Sequence, residues 1–129
     1  MGAAMRVAKK SILSLFIIVL FACPTVLAFM SYPANLEGKI SQYPGSTIIQ
    51  TTSLEQSTQV MLQTSDSLDN VANYYKKDLE KNGLHTEMEN KQQNGWTIIF
   101  SSPEQGSGMV GLYPDGKGNI AISIVYSSK

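Results

Sequence analysis

The sequence predicts an α+β domain in which one helix lies across an antiparallel sheet, in the order β-β-α-β-β-β-β. Three observations carry this. Leu68, Val71, Ala72, Tyr75 and Leu79 recur at helical spacing and form one apolar stripe. On both sides of that stripe the apolar period falls to two, in runs rich in β-branched residues. Turn residues, Asn94-Gly95 among them, divide those runs as hairpins require.

Met1 to Lys10 is short and basic, and the apolar block from Ile12 to Ala22 is interrupted only by Ser14. A charged start before a short apolar core is the layout of a secretory signal peptide. Val26-Leu27-Ala28 supplies small residues at the first and third positions before a cut after Ala28. Two other readings compete for this segment. Leu20-Phe21-Ala22-Cys23 is similar to a bacterial lipobox, which would leave a lipidated Cys23 at the mature N-terminus; Phe21 stands where that pattern has a small residue. The uncharged stretch from Ile12 to Met30 is also just long enough for an uncleaved membrane anchor, kinked at Pro24, with its basic side in the cytoplasm. All three readings export the remainder across the cytoplasmic membrane, to the periplasm or beyond, as a soluble or a membrane-tethered domain.

Phe29 to Gly45 contains Pro33, Gly38 and the Tyr43-Pro44-Gly45 turn, has no sustained period, and reads as an extended arm. It is either a tether that lifts the domain off a membrane or a segment that wraps over it with Tyr32, Leu36 and Tyr43 tucked in. The domain proper is then 46–129, after a leader over 1–28 and an arm over 29–45.

Thr47 to Thr52 and Thr58 to Thr64 flank the polar turn Ser53 to Ser57 and form the first hairpin. Asp66 caps the helix, Asp69 lies in its first turn, and Lys76, Lys77 and Lys81 suit its C-terminal half. Asn82-Gly83 stops it, since Gly takes the left-handed conformation freely. Leu84 to Asn90 and Trp96 to Ser101 are the next strands, with Asn94-Gly95 in the turn between them. Ser107 to Tyr113 and Asn119 to Tyr126 are the last pair, joined by Pro114 to Gly118. In the final strand Ile120, Ile122, Ile124 and Tyr126 share one face, as in a half-buried antiparallel strand.

One helix covers one face of a sheet. Ile49, Met61, Ile99, Val110, Leu112 and Val125 stand on the opposite parity to several core residues. Either the sheet curls on itself or this second face meets a partner, another envelope protein or a second copy.

The chain has 129 residues, ten basic and ten acidic, and a single Cys. That length fits one domain, and Cys23 alone excludes an internal disulfide. Removal of the first 28 residues leaves seven basic and ten acidic groups and no Arg. Such a balance argues against nucleic acid, which needs clustered Lys and Arg for its phosphates.

Catalytic chemistry finds little support. His85 is the only histidine, sits mid-strand and has no nucleophile motif to serve. In a strand His85, Glu87 and Glu89 point to one side, where they could gather a divalent metal. Their spacing along a line opposes this, because a metal wants converging ligands, and a charged edge strand shows the same pattern. Gly106 to Gly111 fits Gly-x-Gly-x-x-Gly, but a dinucleotide site needs that loop to open a helix and this segment reads as strand. Asp115 to Asn119 has calcium-loop spacing with Lys117 in a ligand position and no bidentate Glu, so a turn is the better account. An exposed Trp96 beside Tyr74 would make a sugar or peptide platform; otherwise Trp96 and Tyr75 are core.

Tyr43-Pro44-Gly45-Ser46, the run Thr64 to Tyr75, and Leu79-Glu80-Lys81-Asn82-Gly83 together resemble a recurring bacterial secreted or lipoprotein domain. Its members show a Tyr-Pro-Gly start, an Asp-Ser-initiated helix carrying Val and Tyr, and an Asn-Gly stop. Many have Trp after that Gly, where this chain has Leu84. The resemblance covers Tyr43 to Tyr126 and implies an exported helix-on-sheet domain; no catalytic residue travels with it. The expectation is a non-enzymatic envelope module that binds protein or assembles with itself and touches membrane only through its N-terminal segment. It has no cofactor, metal or nucleic-acid partner. The alternative is a metal- or small-molecule-binding sensor or enzyme that uses the His85-Glu87-Glu89 face.

Overall fold

The structure, a computed structural model, describes residues 30–129, and its compact unit runs from Tyr32 to Lys129. Cleavage after Ala28, lipidation of Cys23 and the anchor reading all lie outside the described residues. Six strands, β1 (Thr47–Leu54), β2 (Ser57–Thr64), β3 (His85–Gln92), β4 (Gly95–Ser102), β5 (Gly106–Pro114) and β6 (Ile120–Ser128), surround one helix, α1 (Leu68–Lys81). They form a single antiparallel sheet in the order β1-β2-β6-β5-β4-β3. The predicted element order and class hold. β6 pairs with β2 from Ser57–Ser127 to Thr64–Ile120, so the last strand seams the first hairpin to the later meander.

Helix α1 begins one residue later than Asp66 would place it. Ser67 is the N-cap, its hydroxyl accepting the Asn70 amide at 3.1 Å. Asp66 supports the cap from outside, accepting from the Ser67 amide at 2.7 Å and from Asn70 Nδ2 at 2.9 Å. The far end closes as the sequence predicts. Gly83 takes φ +80°, the Leu84 amide reaches Leu79 O at 2.9 Å, and the Gly83 amide reaches Glu80 O at 3.1 Å. Leu84 and Leu79 are both fully buried, the apolar contact that accompanies this reversal. Val71, Ala72, Tyr75 and Leu79 face the sheet and pack over the β3, β4 and β5 side.

Residues 32–46 cover the rest of that face. Of the two arrangements open to the arm, the structure has the wrapped one. Leu36, Ile40 and Tyr43 belong to the same core as Val60, Leu62, Ile122 and Ile124. A 3-10 turn over Ala34–Leu36 aims Leu36 inward, and Tyr43-Pro44-Gly45 makes a turn closed by the Ser46 amide on Tyr43 O at 3.0 Å. Pro44 pre-sets the first central position and Gly45, at φ +80°, the second. Polar ties then fasten the arm to α1. Asp78 accepts the Ser41 amide and hydroxyl, each at 2.8 Å. Tyr75 donates to Ser41 O at 3.0 Å and Asn82 Nδ2 to Lys39 O at 3.0 Å. The rings of Tyr43, Tyr74 and Tyr75 meet edge to face or tilted, with centroids 5.0 to 6.2 Å apart.

The β3–β4 turn differs from expectation. Gln92 pairs with Gly95, so the turn is Gln93-Asn94, and Gly95 opens β4 without a positive φ. Its missing side chain serves packing instead: a Cβ there would lie 3.2 Å from Leu112 O and 3.5 Å from the Tyr113 ring.

Candidate functional site

The sheet face turned away from α1 and the arm is charge-free over five of its six strands, with Glu87 of the edge strand β3 reaching it at Ser101. Register fixes its members. One row crosses the sheet as Met88, Ile99, Met109, Val125, Gln59 and Thr52, and the next as Asn90, Thr97, Gly111, Ser123, Met61 and Gln50. The outward positions of β1, β2, β6, β5 and β4, about twenty in all, carry no Asp, Glu, Lys, Arg or His. A protein surface of that extent ordinarily carries roughly five to seven charges. Charges gather at the rim instead, on Glu55, Glu104, Asp115, Lys117 and Lys129. Ile99 is 38% exposed and Met88 59%. Tyr113, also exposed, lies over Gly111, where a Cβ would fall 2.5 Å from its hydroxyl. Glycine at 111 leaves room for this ring on the sheet.

Of the apolar positions expected here, Met61, Ile99 and Val125 do line this face, and Ile49 stands exposed at its edge. Val110 and Leu112 do not. Both are fully buried in the core, Val110 between Ile98 and Ile124 and Leu112 between Trp96 and Ile122. Both faces of β5 are apolar, so its parity follows from cross-strand register rather than from its own residues.

The His85-Glu87-Glu89 grouping is broken by a β-bulge between Thr86 and Met88. His85 stands opposite Ser101, whose hydroxyl donates to Glu87 at 2.6 Å at the β3 edge of the outward face. Glu89 is carried to the helix side, where it accepts Trp96 Nε1 at 2.8 Å and pairs with Lys76 at 3.3 Å. Among the described residues, no three His, Cys, Asp or Glu side chains converge as metal ligands. Trp96 is 7% exposed and sits beneath Lys76 and Lys91, at 5.2 and 4.6 Å from the ring centre, so it forms no open platform with Tyr74.

The Gly-x-Gly-x-x-Gly match is strand β5, and its glycines answer to packing. A Cβ at Gly108 would run into the Val125 carbonyl oxygen and the Phe100 ring, and one at Gly106 into the Ser127 carbonyl oxygen. The Asp115 loop is a turn held by its own carboxylate, which accepts the Lys117 amide at 2.6 Å and the Asn119 amide at 3.2 Å. Those bonds, the Lys117 amide first, hold the Asp115 carboxyl below its usual pKa.

A second candidate lies where the arm meets the hairpin tip. Asn35, Lys39, Glu55, Gln56, Thr58, Tyr126 and Ser128 line a half-open polar cleft of about 180 Å³. Asn35 Nδ2 donates to Thr58 Oγ1 at 3.0 Å across it, and Lys39 Nζ lies 5.0 Å from the Tyr126 ring centre. None of these residues is marked by the sequence as part of a site. The available signal was spacing: Leu36 and Ile40, four apart, turn inward and leave Asn35 and Lys39, also four apart, on the cleft wall. A shallower groove of about 340 Å³ on α1 is lined by Ser41, Tyr74, Lys77, Asp78 and Lys81, but Asp78 is committed to Ser41.

The START domain-like family matches residues 45–128, from the Tyr-Pro-Gly turn to the end of β6. The chain belongs to that family. START-like domains often bind small molecules. The match begins after most of the arm, so the cleft combines β1–β2 and β6 residues inside the START-like region with Asn35 and Lys39 outside it. No curated protein and no solved structure matches the chain significantly.

Proposed function

We propose that this START-like domain is an exported, non-enzymatic binding module whose contact surface is the uncharged sheet face. The single observation behind this is the run of about twenty outward positions without a charge, crossed by Met88, Ile99, Met109 and Val125. Apolar residues depleted of charge are what the centre of a protein contact requires. The charged rim suits the polar margin of such a contact. Export rests on the basic start and apolar block before Pro24. The partner is an envelope protein or another copy of the chain. The test is the mass, in solution or mild detergent, of the full chain from its native membrane and soluble fractions. Ile99→Lys with Val125→Lys lowers that mass by the mass of the partner bound at this face while the circular dichroism spectrum stays unchanged. The same mass for wild type and double variant refutes the reading.

A second reading is favoured by family membership and by the polar cleft. In it, Lys39, Glu55, Asn35 and Gln56 hold a small polar molecule against the edge of Tyr126. Native mass spectrometry of the purified chain tests this: a retained small molecule that is lost in Lys39→Ala supports it, and no mass excess in the wild type refutes it.

A further inference from the structure

The two edges of the sheet are unlike. β3, at one edge, carries His85, Glu87, Glu89 and Lys91 within eight residues, has a bulge between Thr86 and Met88, and is packed by α1. Charge and bulging are standard guards against strand addition. β1, at the other edge, is Thr47-Ile48-Ile49-Gln50-Thr51-Thr52-Ser53-Leu54. It has no charge and no proline, and all of it except Ile48 is exposed. Its own bulge, between Ile48 and Gln50, lies near its start and leaves Gln50 to Leu54 in regular register with β2. Two of the exposed large apolar side chains, Ile49 (46%) and Leu54 (69%), sit on this one strand.

From this contrast we infer that β1 is a docking edge, and that its occupant is the β1 strand of a second copy, paired antiparallel about a two-fold axis normal to the sheet. Symmetry and charge select this occupant. Pairing β1 to the opposite edge of another copy would be head-to-tail and would grow without closing, and the charges and bulge of β3 oppose it. Pairing β3 to β3 about a two-fold would set Glu87 and Glu89 near their own counterparts. Only β1 with β1 opposes no like charges, and it consumes the bare edge of both copies, so assembly stops at two. A two-fold normal to the sheet also keeps the uncharged faces on one side and joins them into one twelve-stranded surface. The inference rests on the edge and not on the partner proposed for that face.

Cysteine cross-linking of the full chain tests it. With the axis through Thr52, that residue lies opposite its own counterpart, where Cβ atoms are about 4.5–5.5 Å apart and a disulfide can close. Thr52→Cys, and Thr51→Cys for an axis shifted by one residue, are compared under mild oxidation with Asn90→Cys on β3. The parent chain, whose only cysteine is Cys23, sets the background. The expected result is a disulfide-linked species of twice the chain mass from a β1 cysteine, at least tenfold above background, with Asn90→Cys at background. Adding Gln50→Lys to the cross-linking variant should cut the yield at least tenfold, while Ile99→Lys leaves it unchanged. Background yield from both β1 variants, or equal yield from Asn90→Cys, overturns the inference. A cross-linked species of any other mass overturns the second copy as occupant.

Discussion

Leu36→Ala probes whether the arm is part of the fold. Leu36 is fully buried and lies outside the START-like region, at the end of the 3-10 turn whose backbone bonds run from Leu36 N to Pro33 O and from Ile40 N to Leu36 O. Truncation removes three carbons, about 2.4 kcal/mol of transfer free energy at about 0.8 kcal/mol each. The cavity left between arm and sheet brings the cost to about 3 kcal/mol, inside the roughly 2–5 kcal/mol seen for such changes. Domains of this size are stable by about 5–15 kcal/mol. The midpoint of thermal unfolding should therefore fall by about 12–24 °C, at about 4–8 °C per kcal/mol. Urea titration followed by circular dichroism gives the free energy directly, and Glu37→Ala, one residue on and exposed, should stay within about 0.5 kcal/mol of wild type. A loss below about 1 kcal/mol for Leu36→Ala would mean the arm lies on the domain without supporting it.

Three further outcomes are expected. Asp66 has its carboxyl pKa held below the usual 3.8, first by the Tyr43 hydroxyl and then by Asn70 and the Ser67 amide. Its contribution to stability is present above that value and disappears as pH falls through the lowered one; Tyr43→Phe should raise the Asp66 pKa in a carbon-detected NMR titration, and an unchanged value would refute the contact. Burial pushes the phenols of Tyr32, Tyr43, Tyr74 and Tyr75 up, Tyr43 to about 12. The folded chain then binds more protons than the unfolded one above the ordinary value of 10.0, so stability falls as pH rises through that range. Absorbance at about 295 nm should show these phenols ionising together with unfolding, whereas early, independent ionisation would contradict their burial. Gly108→Ala places a carbon against the Val125 carbonyl and the Phe100 ring and should cost about 3 kcal/mol or prevent folding; a stable variant measured by urea titration would show that β5 and β6 can separate.

Local signals were legible in the sequence. The stripe from Leu68 to Leu79 and the Asn82-Gly83 stop each depend on residues within a few positions, and the alternation of Ile120, Ile122 and Ile124 is complete within its own strand. The harder features depend on register or on distant partners. Glu89 reverses its face because β3 bulges at Thr86 to Met88, and nothing in its residues specifies that insertion. Val110 takes the core and Met109 the open face only because Ile98 and Ile124 hold them there. The arm attaches through contacts spanning 23 to 43 residues, such as Asn35 to Thr58 and Lys39 to Asn82, so its lack of period left a tether and a wrapped segment equally open. The polar cleft was missed for the same reason, since it exists only where arm and hairpin meet.

Strict alternation along β2, β4 and β6 assigns each position to one side of the sheet or the other. Thr97, Ile99 and Ser101 can therefore be exchanged without touching Trp96, Ile98 or Phe100, and the same holds for Ser123 and Val125 beside Ile122 and Ile124. Such a sheet separates two selective pressures: the inward set maintains the fold while the outward set drifts or adapts. Gly111 is the exception, because the ring of Tyr113 occupies the place its Cβ would take. Descendants of this chain would be expected to change the outward surface only as its partner allows, while keeping Gly111 and Tyr113 or losing them together.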